Sequence, residues 1–319
     1  MRSAARSSRL AGNVYAATSR EIAAALGAVA RSERAELTRL CHAHRYQMNE
    51  VARCLDVLPV LGAVAAEHGR PIALVDVGTG AGLTLHLDRY SYHYTMPDGT
   101  VAICGDAGAT VQLECSVRAG APPVPDRVPP ILDRTGVDLE PLELSDPQTL
   151  GWLAACVPPE AGAVTRFAAA AGIARSSGAR TVRGDLLDVL RDAVAAMPRE
   201  AVVCIVDTYV SVFLPADRLA RLDELVTDLG RARDVEWISV NPLVPLGPDA
   251  RATVQGLDVP ASWLEDNRVG GVFGVIGRVT VRGGVRTGRV LGRAHPGATW
   301  LEWLDQGPDQ GPDQGKTNV

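Results

Sequence analysis

The stretch "ALVDVGTGAGLTLHLDRYSY", residues 73–92, decides the fold. It begins as a continuous apolar run, which predicts a buried parallel strand. A turn with Gly78, Gly80 and Gly82 follows, and the next residues predict a helix. Asp76 stands at the end of the strand, just ahead of the first glycine. A strand, a glycine turn and a helix in this order are typical of nucleotide-binding α/β folds. The open question is which nucleotide tolerates a carboxylate at this point.

The chain around this stretch predicts an α/β fold with a doubly wound, mostly parallel sheet. Residues 1–69 predict a helical N-terminal region, and residues 70–304 predict the α/β domain. Alternating Tyr, Val and Thr residues at about residues 90–120 predict inserted strands joined by hairpins. Residues 271–304 predict an antiparallel ribbon at one edge of the sheet. The repetitive tail at 305–319 has no apolar residues apart from its last, so we expect it to be disordered.

Composition limits the partners and the compartment. The 319 residues carry a net charge of −5, which argues against nucleic acid or an acidic membrane surface as the main partner. No apolar run approaches the roughly 18 residues of a membrane span. The six cysteines are scattered without a C-x-x-C pair. Together these features predict a cytoplasmic protein with reduced thiols, no metal and a small-molecule substrate.

The spacing of the glycines disfavours a phosphate-bearing ligand. In the dinucleotide fingerprint the third glycine comes three residues after the second, but that position is Leu83 here. The carboxylate of Asp76 would also stand beside a diphosphate. Two like charges about 4 Å apart repel by roughly 4 kcal/mol at an effective dielectric constant near 20. We therefore disfavour NAD and FAD, and no G-K-[ST] follows that would make a P-loop.

A cationic nucleoside suits the same turn. S-adenosylmethionine carries a sulfonium and an ammonium but no phosphate, and Asp76 can pair with the ammonium. Asp138 or Glu140, at the next strand end, can bind the ribose hydroxyls, as an acid does in other doubly wound folds. Asp185, followed by Leu186, can accept from the adenine amino group. For Asp76 and Asp185 the alternative is a helix N-cap without a ligand.

A polar stripe precedes the glycine turn. Tyr46, Asn49, Glu50 and Arg53 recur at helical spacing opposite an apolar stripe. One interpretation is a solvated helix face. The other is that this face borders the site, with Asn49 and Arg53 contacting the ligand and Arg53 near its methionine carboxylate. The sequence leaves both open.

Several stretches together resemble a known family. They are "RYQMNEVARCLDVLPVL", "LVDVGTGAGLTLHLDRYSYHY", "GVDLEPLELSDP" with "WLAACVPPE", "TVRGDLLDVL" and "HPGATWLEWL". They resemble an actinobacterial family labelled as a domain of unknown function, with a class I methyltransferase-like, Rossmann-like core. The resemblance runs from about residue 40 to residue 304. It departs in the turn, where the family usually has Ser-Ala, and at Asp207, where the family usually has histidine.

The resemblance implies an S-adenosylmethionine-dependent transferase. The group moved can be the methyl or the 3-amino-3-carboxypropyl group, and a small secondary-metabolite hydroxyl or amine, as in antibiotic biosynthesis, is the implied acceptor. We expect Asp207 as a general base, with Thr208 and Tyr209 beside it, although Asp207 can equally be a structural residue. Four residues of the last ribbon can wall the pocket: His295, Trp300, Glu302 and Trp303. The alternative function is a non-catalytic binding or partner subunit.

Overall fold

A computed structural model describes residues 19–47, 49–157, 162–244 and 252–304. Within these ranges the chain has a mixed α/β fold, in which eleven strands form one mostly parallel sheet. Its strands are β1 (Ile72–Val77), β2 (Ser91–Thr95), β3 (Val101–Cys104), β4 (Gln112–Ala119), β5 (Ile131–Asp138), β6 (Arg180–Arg183), β7 (Val202–Thr208), β8 (Val235–Pro242), β11 (Gly274–Arg282), β12 (Val285–Ala294) and β13 (Trp300–Trp303). A separate two-stranded ribbon pairs β9 (Thr253–Val254) with β10 (Leu257–Asp258).

Eight α-helices lie in the described residues. They are α1 (Ser19–Ser32), α2 (Arg34–Ala43), α3 (Cys54–His68), α4 (Pro147–Cys156), α5 (Ala163–Ser177), α6 (Leu186–Ala195), α7 (Ala216–Ala232) and α8 (Ala261–Arg268). Three short 3-10 segments complete the set, at Val51–Arg53, Thr84–Arg89 and Ser211–Phe213. Asp146 caps α4 by accepting from the N–H groups of Gln148 and Thr149.

The strand order defines where a ligand can sit. The sheet runs β3-β2-β4-β13-β12-β11-β8-β7-β1-β5-β6, and the five strands from β8 to β6 are parallel. After β1 the chain adds β5 and β6 on one side, and it then returns to add β7 and β8 on the other side. The connections therefore reverse direction beside β1. In open α/β sheets, ligands bind at the carboxyl ends of the strands at such a reversal.

Both faces of the parallel strands are buried. All six residues of β1 are buried, as the continuous apolar run predicts. On one face the buried helix α3 packs against β4, β7 and β8. On the other face α6 and α7 cover the sheet, and α7 contributes the buried side chains Leu222 and Val226. Two hydrophobic layers thus fix the strands, and their polar carboxyl ends project beyond the core.

The prediction of a helix after the glycine turn is wrong. Residues 84–89 form 3-10 turns, and His86 has non-helical angles. The reason lies in the next strand, where two tyrosines take backbone carbonyls that an α-helix would use for its own ladder. Tyr90 Oη donates to the Leu83 carbonyl at 2.7 Å, and Tyr92 Oη donates to the Leu87 carbonyl at 2.6 Å. The turn is therefore not followed by a helix N-terminus of the kind that binds phosphate.

The antiparallel ribbon lies inside the sheet instead of at its edge. The predicted strands β11, β12 and β13 are confirmed, with the turn at Gly283 and Gly284. The inserted strands extend the sheet beyond them, because β13 pairs with β4 in parallel. Strands β2 and β3 form the predicted hairpin, whereas β4 pairs with β2 in parallel. The insertion thus completes the same sheet.

The two ends of the chain differ from the core. Helix α2 has no buried residue, while α3, the last helix before residue 69, lies in the core. The tail predicted to be disordered, residues 305–319, lies outside the described residues, as do residues 1–18. No helix among the described residues combines the length and the apolar character needed to cross a membrane.

Candidate functional site

The glycine turn needs its glycines for two physical reasons. Gly78, Gly80 and Gly82 all have positive φ angles, which side chains other than glycine rarely adopt. A Cβ at Gly78 would also lie 2.2 Å from a methyl carbon of Val210, the residue that follows β7 and Tyr209. The turn therefore packs directly against the chain that leaves β7. This close approach joins the ends of β1 and β7 into one surface.

Asp76 is a buried carboxylate at the carboxyl end of β1. Its side chain is only 3% exposed, and the hydroxyl of Thr79 donates to its Oδ2 at 2.7 Å. Burial, together with the negative charges of Asp138 and Asp207, raises the pKa of Asp76 to about 7 against the opposing effect of the bond from Thr79. An acid in this state costs free energy when it is charged, unless a cation reaches it.

Asp138 closes the glycine turn from the neighbouring strand. Its Oδ2 accepts from the Gly80 N–H at 2.8 Å, and its Oδ1 accepts from the Glu140 N–H at 2.8 Å. Because β5 pairs with β1 in parallel, Asp138 and Asp76 lie at the same edge of the sheet. The side chain is half-buried and retains acceptor capacity beyond these two bonds. Its place at a strand end matches the predicted ribose position.

Asp185 has the contacts of the N-cap alternative. Its Oδ1 accepts from the Leu187 N–H at 3.0 Å at the start of α6, and Arg218 contacts both oxygens at 2.5 and 2.6 Å. Partial burial raises the pKa of Asp185, but the bonds from Leu187 and Arg218 outweigh it and lower the pKa. Leu186 is the first residue of α6. Any contact of Asp185 with an adenine therefore competes with Arg218.

Asp207 is held on all sides by the protein. It is fully buried at the end of β7, next to Val77 of β1 in the register. Its Oδ1 accepts from the N–H groups of Val210 and Ser211, both at 3.1 Å, and its Oδ2 accepts from Asn241 Nδ2 at 3.1 Å. Burial raises its pKa, and these bonds oppose the rise. The contacts favour the structural alternative, in which Asp207 shapes the turn after β7.

Tyr209 and Arg53 meet at the same edge. The guanidinium of Arg53 lies 4.0 Å from the centre of the Tyr209 ring, and Arg53 Nε donates to the Pro296 carbonyl at 3.4 Å. Tyr209 is 9% exposed and has a φ of 61°, an unusual value for a bulky residue. Its Oη has no hydrogen-bond partner in the described part of the chain. Arg53, Tyr209 and the β12–β13 loop therefore come together as one cluster.

The predicted polar stripe is not a helix face. Residues 44–47, 49 and 50 are not helical, and the Glu50 carboxylate caps the following 3-10 turn by accepting from the Ala52 N–H at 2.9 Å. Asn49, Glu50 and Arg53 are nevertheless buried, so a solvated face is wrong for these three. Tyr46 is 65% exposed. Asn49 Nδ2 donates to the Leu153 carbonyl at 3.2 Å, which ties this segment to α4.

Asp56 is a buried carboxyl that the sequence analysis missed. It is 1% exposed, and its Oδ2 has no hydrogen-bond partner among the described residues. Burial raises its pKa well above the ordinary value, and the positive charge of Arg53 only partly opposes this. The signal was available, because Asp56 interrupts an otherwise apolar helix, between Leu55 and Val57. An acid inside a helix that is apolar all round is expected to be buried.

A cleft of about 620 Å³ opens beside the glycine turn. It lies between Gly82, His86, the segment 142–145 and the last turns of α5. The volume is in the range of small-molecule sites. His86 is buried, and burial lowers its pKa to about 4, so its imidazole is neutral at pH 7. Of the predicted site residues, only Gly82 lines this cleft.

Of the four residues expected to wall the pocket, His295 and Trp300 lie side by side, with ring centroids 6.1 Å apart. Glu302 accepts from Arg293 Nε at 2.7 Å, and Trp303 is buried in the core. The guanidinium of Arg118 lies over the Trp300 ring, 4.4 Å from its centroid, and His295 Nδ1 accepts from the Gly297 N–H. Among the residues that the structure describes, no group of three or more potential ligands could hold a metal ion.

The comparisons with known proteins place the chain in a family. The model of the family described as "Uncharacterized protein conserved in bacteria (DUF2332)" matches residues 4–303. The chain belongs to this family. A comparison with curated proteins found no match. The DUF2332 match confirms the predicted membership in a family of unknown function, and it covers all the candidate site residues. It assigns no chemistry to them.

Proposed function

We propose that this DUF2332 protein is a transferase that uses S-adenosylmethionine as co-substrate and binds it over the glycine turn. The observation that carries the proposal is Asp76. It is a buried carboxylate at the reversal point of a parallel sheet, just ahead of a turn of left-handed glycines, and Thr79 is the one donor to it in the described part of the chain. The class I methyltransferase-like core implied by the resemblance has its cofactor at this place.

The electrostatics of the strand ends support a cation. Asp76, Asp138 and Asp207 end three adjacent parallel strands, and the charges of the last two raise the pKa of the first. A diphosphate would add to this negative charge, whereas a sulfonium and an ammonium would reduce it. Asp138 at the end of β5 remains the residue we propose for the ribose hydroxyls, and Leu186 with Asp185 for the adenine.

The acceptor is a small molecule with a hydroxyl or an amine. The cleft of about 620 Å³ next to Gly82 has the volume for such a molecule. Both methyl transfer and 3-amino-3-carboxypropyl transfer fit this arrangement, because each uses a carbon bonded to the same sulfur. Which carbon faces the acceptor decides the product.

A second candidate function is binding without catalysis. It is favoured by one observation, that every described acceptor bond of Asp207 goes to the protein's own N–H groups. A carboxylate whose oxygens already accept hydrogen bonds from the protein is a poor general base. In that case the strand ends would bind S-adenosylmethionine for a partner protein or a regulatory purpose.

Thermal unfolding with added nucleotides tests the proposal. S-adenosylmethionine at a hundredfold excess over its dissociation constant should raise the melting temperature by roughly 5–10 °C, and NAD should not. Mass spectrometry of the nucleoside products with phenol and amine acceptors then separates the functions. S-adenosylhomocysteine indicates methyl transfer, methylthioadenosine indicates aminocarboxypropyl transfer, and neither product indicates binding alone. Stabilisation by NAD and not by S-adenosylmethionine would contradict the proposal.

A further inference from the structure

A cluster of three polar side chains lies beside the glycine turn, and its members come from different elements. Arg53 ends the 3-10 turn, Asp56 lies in the first turn of α3, and Tyr209 follows β7. Asp56 is three residues after Arg53, so both side chains lie on one face of the helical segment. Arg53 stacks on the Tyr209 ring at 4.0 Å. All three are at least nine-tenths buried.

Two oxygens of this cluster lack partners. Tyr209 Oη and Asp56 Oδ2 are buried, and neither has a hydrogen bond within the ranges that the structure describes. A buried polar atom without a partner costs free energy, and such atoms are rare in folded proteins. Tyr209 also holds a left-handed backbone angle, which costs a residue other than glycine roughly 1–2 kcal/mol. Backbone strain and unpaired buried atoms concentrate at binding sites.

The backbone holds Tyr209 in this position. Its N–H donates to the Val240 carbonyl at 2.8 Å, so the residue is pinned to the end of β8. At the other end of the side chain, a Cβ at Gly274 would lie 2.6 Å from Oη. The absence of a side chain at Gly274 thus makes room for the phenol. The fold places the hydroxyl there although no described protein group bonds to it.

The charges of the cluster indicate the ligand class. A guanidinium with a phenol hydroxyl is suited to a carboxylate, and a carboxyl oxygen is suited to an ammonium. The three groups together match a zwitterion. Tyr209 precedes Val210, whose side chain packs against Gly78, so the cluster adjoins the glycine turn that follows Asp76.

We propose that Arg53, Asp56 and Tyr209 form a subsite for the zwitterionic α-amino-acid group of the ligand. Arg53 and Tyr209 Oη bind the carboxylate, and Asp56 Oδ2 binds the ammonium. This inference rests on the proposed function, since the amino acid is the methionine part of S-adenosylmethionine. It leaves Asp76 to face the sulfonium side of the ligand.

Calorimetry with two ligands tests the subsite. Methylthioadenosine has the nucleoside and sulfur of S-adenosylmethionine but no amino acid. Tyr209→Phe and Asp56→Asn should each weaken S-adenosylmethionine binding about 10- to 100-fold, and leave methylthioadenosine binding within about twofold. Tyr209→Phe removes only an oxygen that has no partner among the described residues, so this variant should not lower the melting temperature. Asp56→Asn keeps the size of the side chain but removes its charge beside Arg53, so its affinities are measured on the folded protein. Tyr92→Phe is the matched control, which loses a bond to the Leu87 carbonyl and should lower stability without changing either affinity.

The outcomes separate the two proposals. If the wild type binds neither ligand, both the proposed function and the proposed subsite are overturned. If the wild type binds S-adenosylmethionine more tightly than methylthioadenosine, but both variants keep that ratio, only the subsite is overturned. A loss of stability in both variants with an unchanged ratio would mean that the two oxygens bind buried water, which also overturns it.

Discussion

The two ends of the parallel strands handle buried charge in opposite ways. At the amino end of β8, Glu236 is fully buried and receives Arg278 Nε at 2.9 Å, Thr280 Oγ1 at 2.7 Å and His68 Nε2 at 2.7 Å. At the carboxyl end of β1, Asp76 is also buried, but within the ranges that the structure describes it receives a hydrogen bond from Thr79 Oγ1 alone.

The pKa values follow this difference. Burial raises the pKa of Glu236, but its bonds from His68 and Arg278 outweigh burial and bring it down to about 2. Burial brings the pKa of Asp76 up to about 7. A buried charge with a full set of partners supports the fold, whereas one that lacks them costs stability. The comparison therefore marks the Glu236 network as structural and the Asp76 end as the place for a ligand.

The largest effect is expected from Glu236→Gln. The change removes the charge of the buried one of the two carboxylates that pair with Arg278, and it should lower the free energy of unfolding by about 3–5 kcal/mol in urea at pH 7. The loss should shrink as the pH falls from about 4.5 towards 2, because Glu236 itself takes up a proton there. S-adenosylmethionine affinity should not change in the folded protein.

Glu265→Gln is the matched control for this variant. Glu265 is exposed and pairs with Arg268 at 3.3 Å on α8. An exposed ion pair contributes less than about 1 kcal/mol. If both variants lost the same small amount of stability, the opposite ends of the sheet would not differ in the way described.

A smaller loss is expected from Asp207→Asn. The amide keeps the shape, but it replaces an acceptor by a donor towards Asn241 and removes the charge that three N–H groups contact. Unfolding should show a loss of about 2–3 kcal/mol, the scale of hydrogen bonds to charged groups. Turnover per folded molecule should stay within a few-fold of wild type. A fall in turnover of a hundredfold or more, with stability intact, would restore Asp207 as the general base.

Much of the sheet is predictable because local patterns decide it. The apolar run of β1, the alternation in β2 and β4 and the Gly283–Gly284 turn all specify their strands directly. The helix predicted after the glycine turn does not form because two tyrosine hydroxyls bond to its backbone carbonyls, and the local sequence pattern does not indicate these bonds. Tyr92 lies in β2 and Tyr90 directly precedes it, and only the folded chain brings their hydroxyls to the carbonyls of Leu87 and Leu83.

The same distinction between local sequence pattern and tertiary contacts applies to the candidate site. The sequence correctly puts Asp76, Asp138 and Asp207 at strand ends, because strand ends follow from the apolar runs. The apolar runs do not indicate which groups bond to each carboxylate. Arg218, which pairs with Asp185, is 33 residues further along the chain. Asp56 could have been found from its apolar surroundings and lies one helical turn from Arg53, but its proximity to Tyr209 depends on the tertiary structure.

Asp76→Asn provides the most direct test of Asp76 as a ligand group. A folded pKa of about 7, against an ordinary 3.8, means that Asp76 costs stability as the pH rises from about 4, and the full cost is present above 7. At pH 8 the amide variant should therefore be more stable than the wild type by about 1–3 kcal/mol. At pH 4 the two should be nearly equal.

The decisive measurement is the free energy of unfolding at pH 8 for wild type and Asp76→Asn, without and with S-adenosylmethionine. Asp192→Asn, an exposed change of the same kind, serves as the control. We predict that the variant is the more stable protein without the ligand, and that S-adenosylmethionine stabilises the wild type by about 2.7 kcal/mol at a hundredfold excess but the variant much less. A variant that is less stable than wild type without the ligand, and equally stabilised by it, would contradict Asp76 as the ligand group.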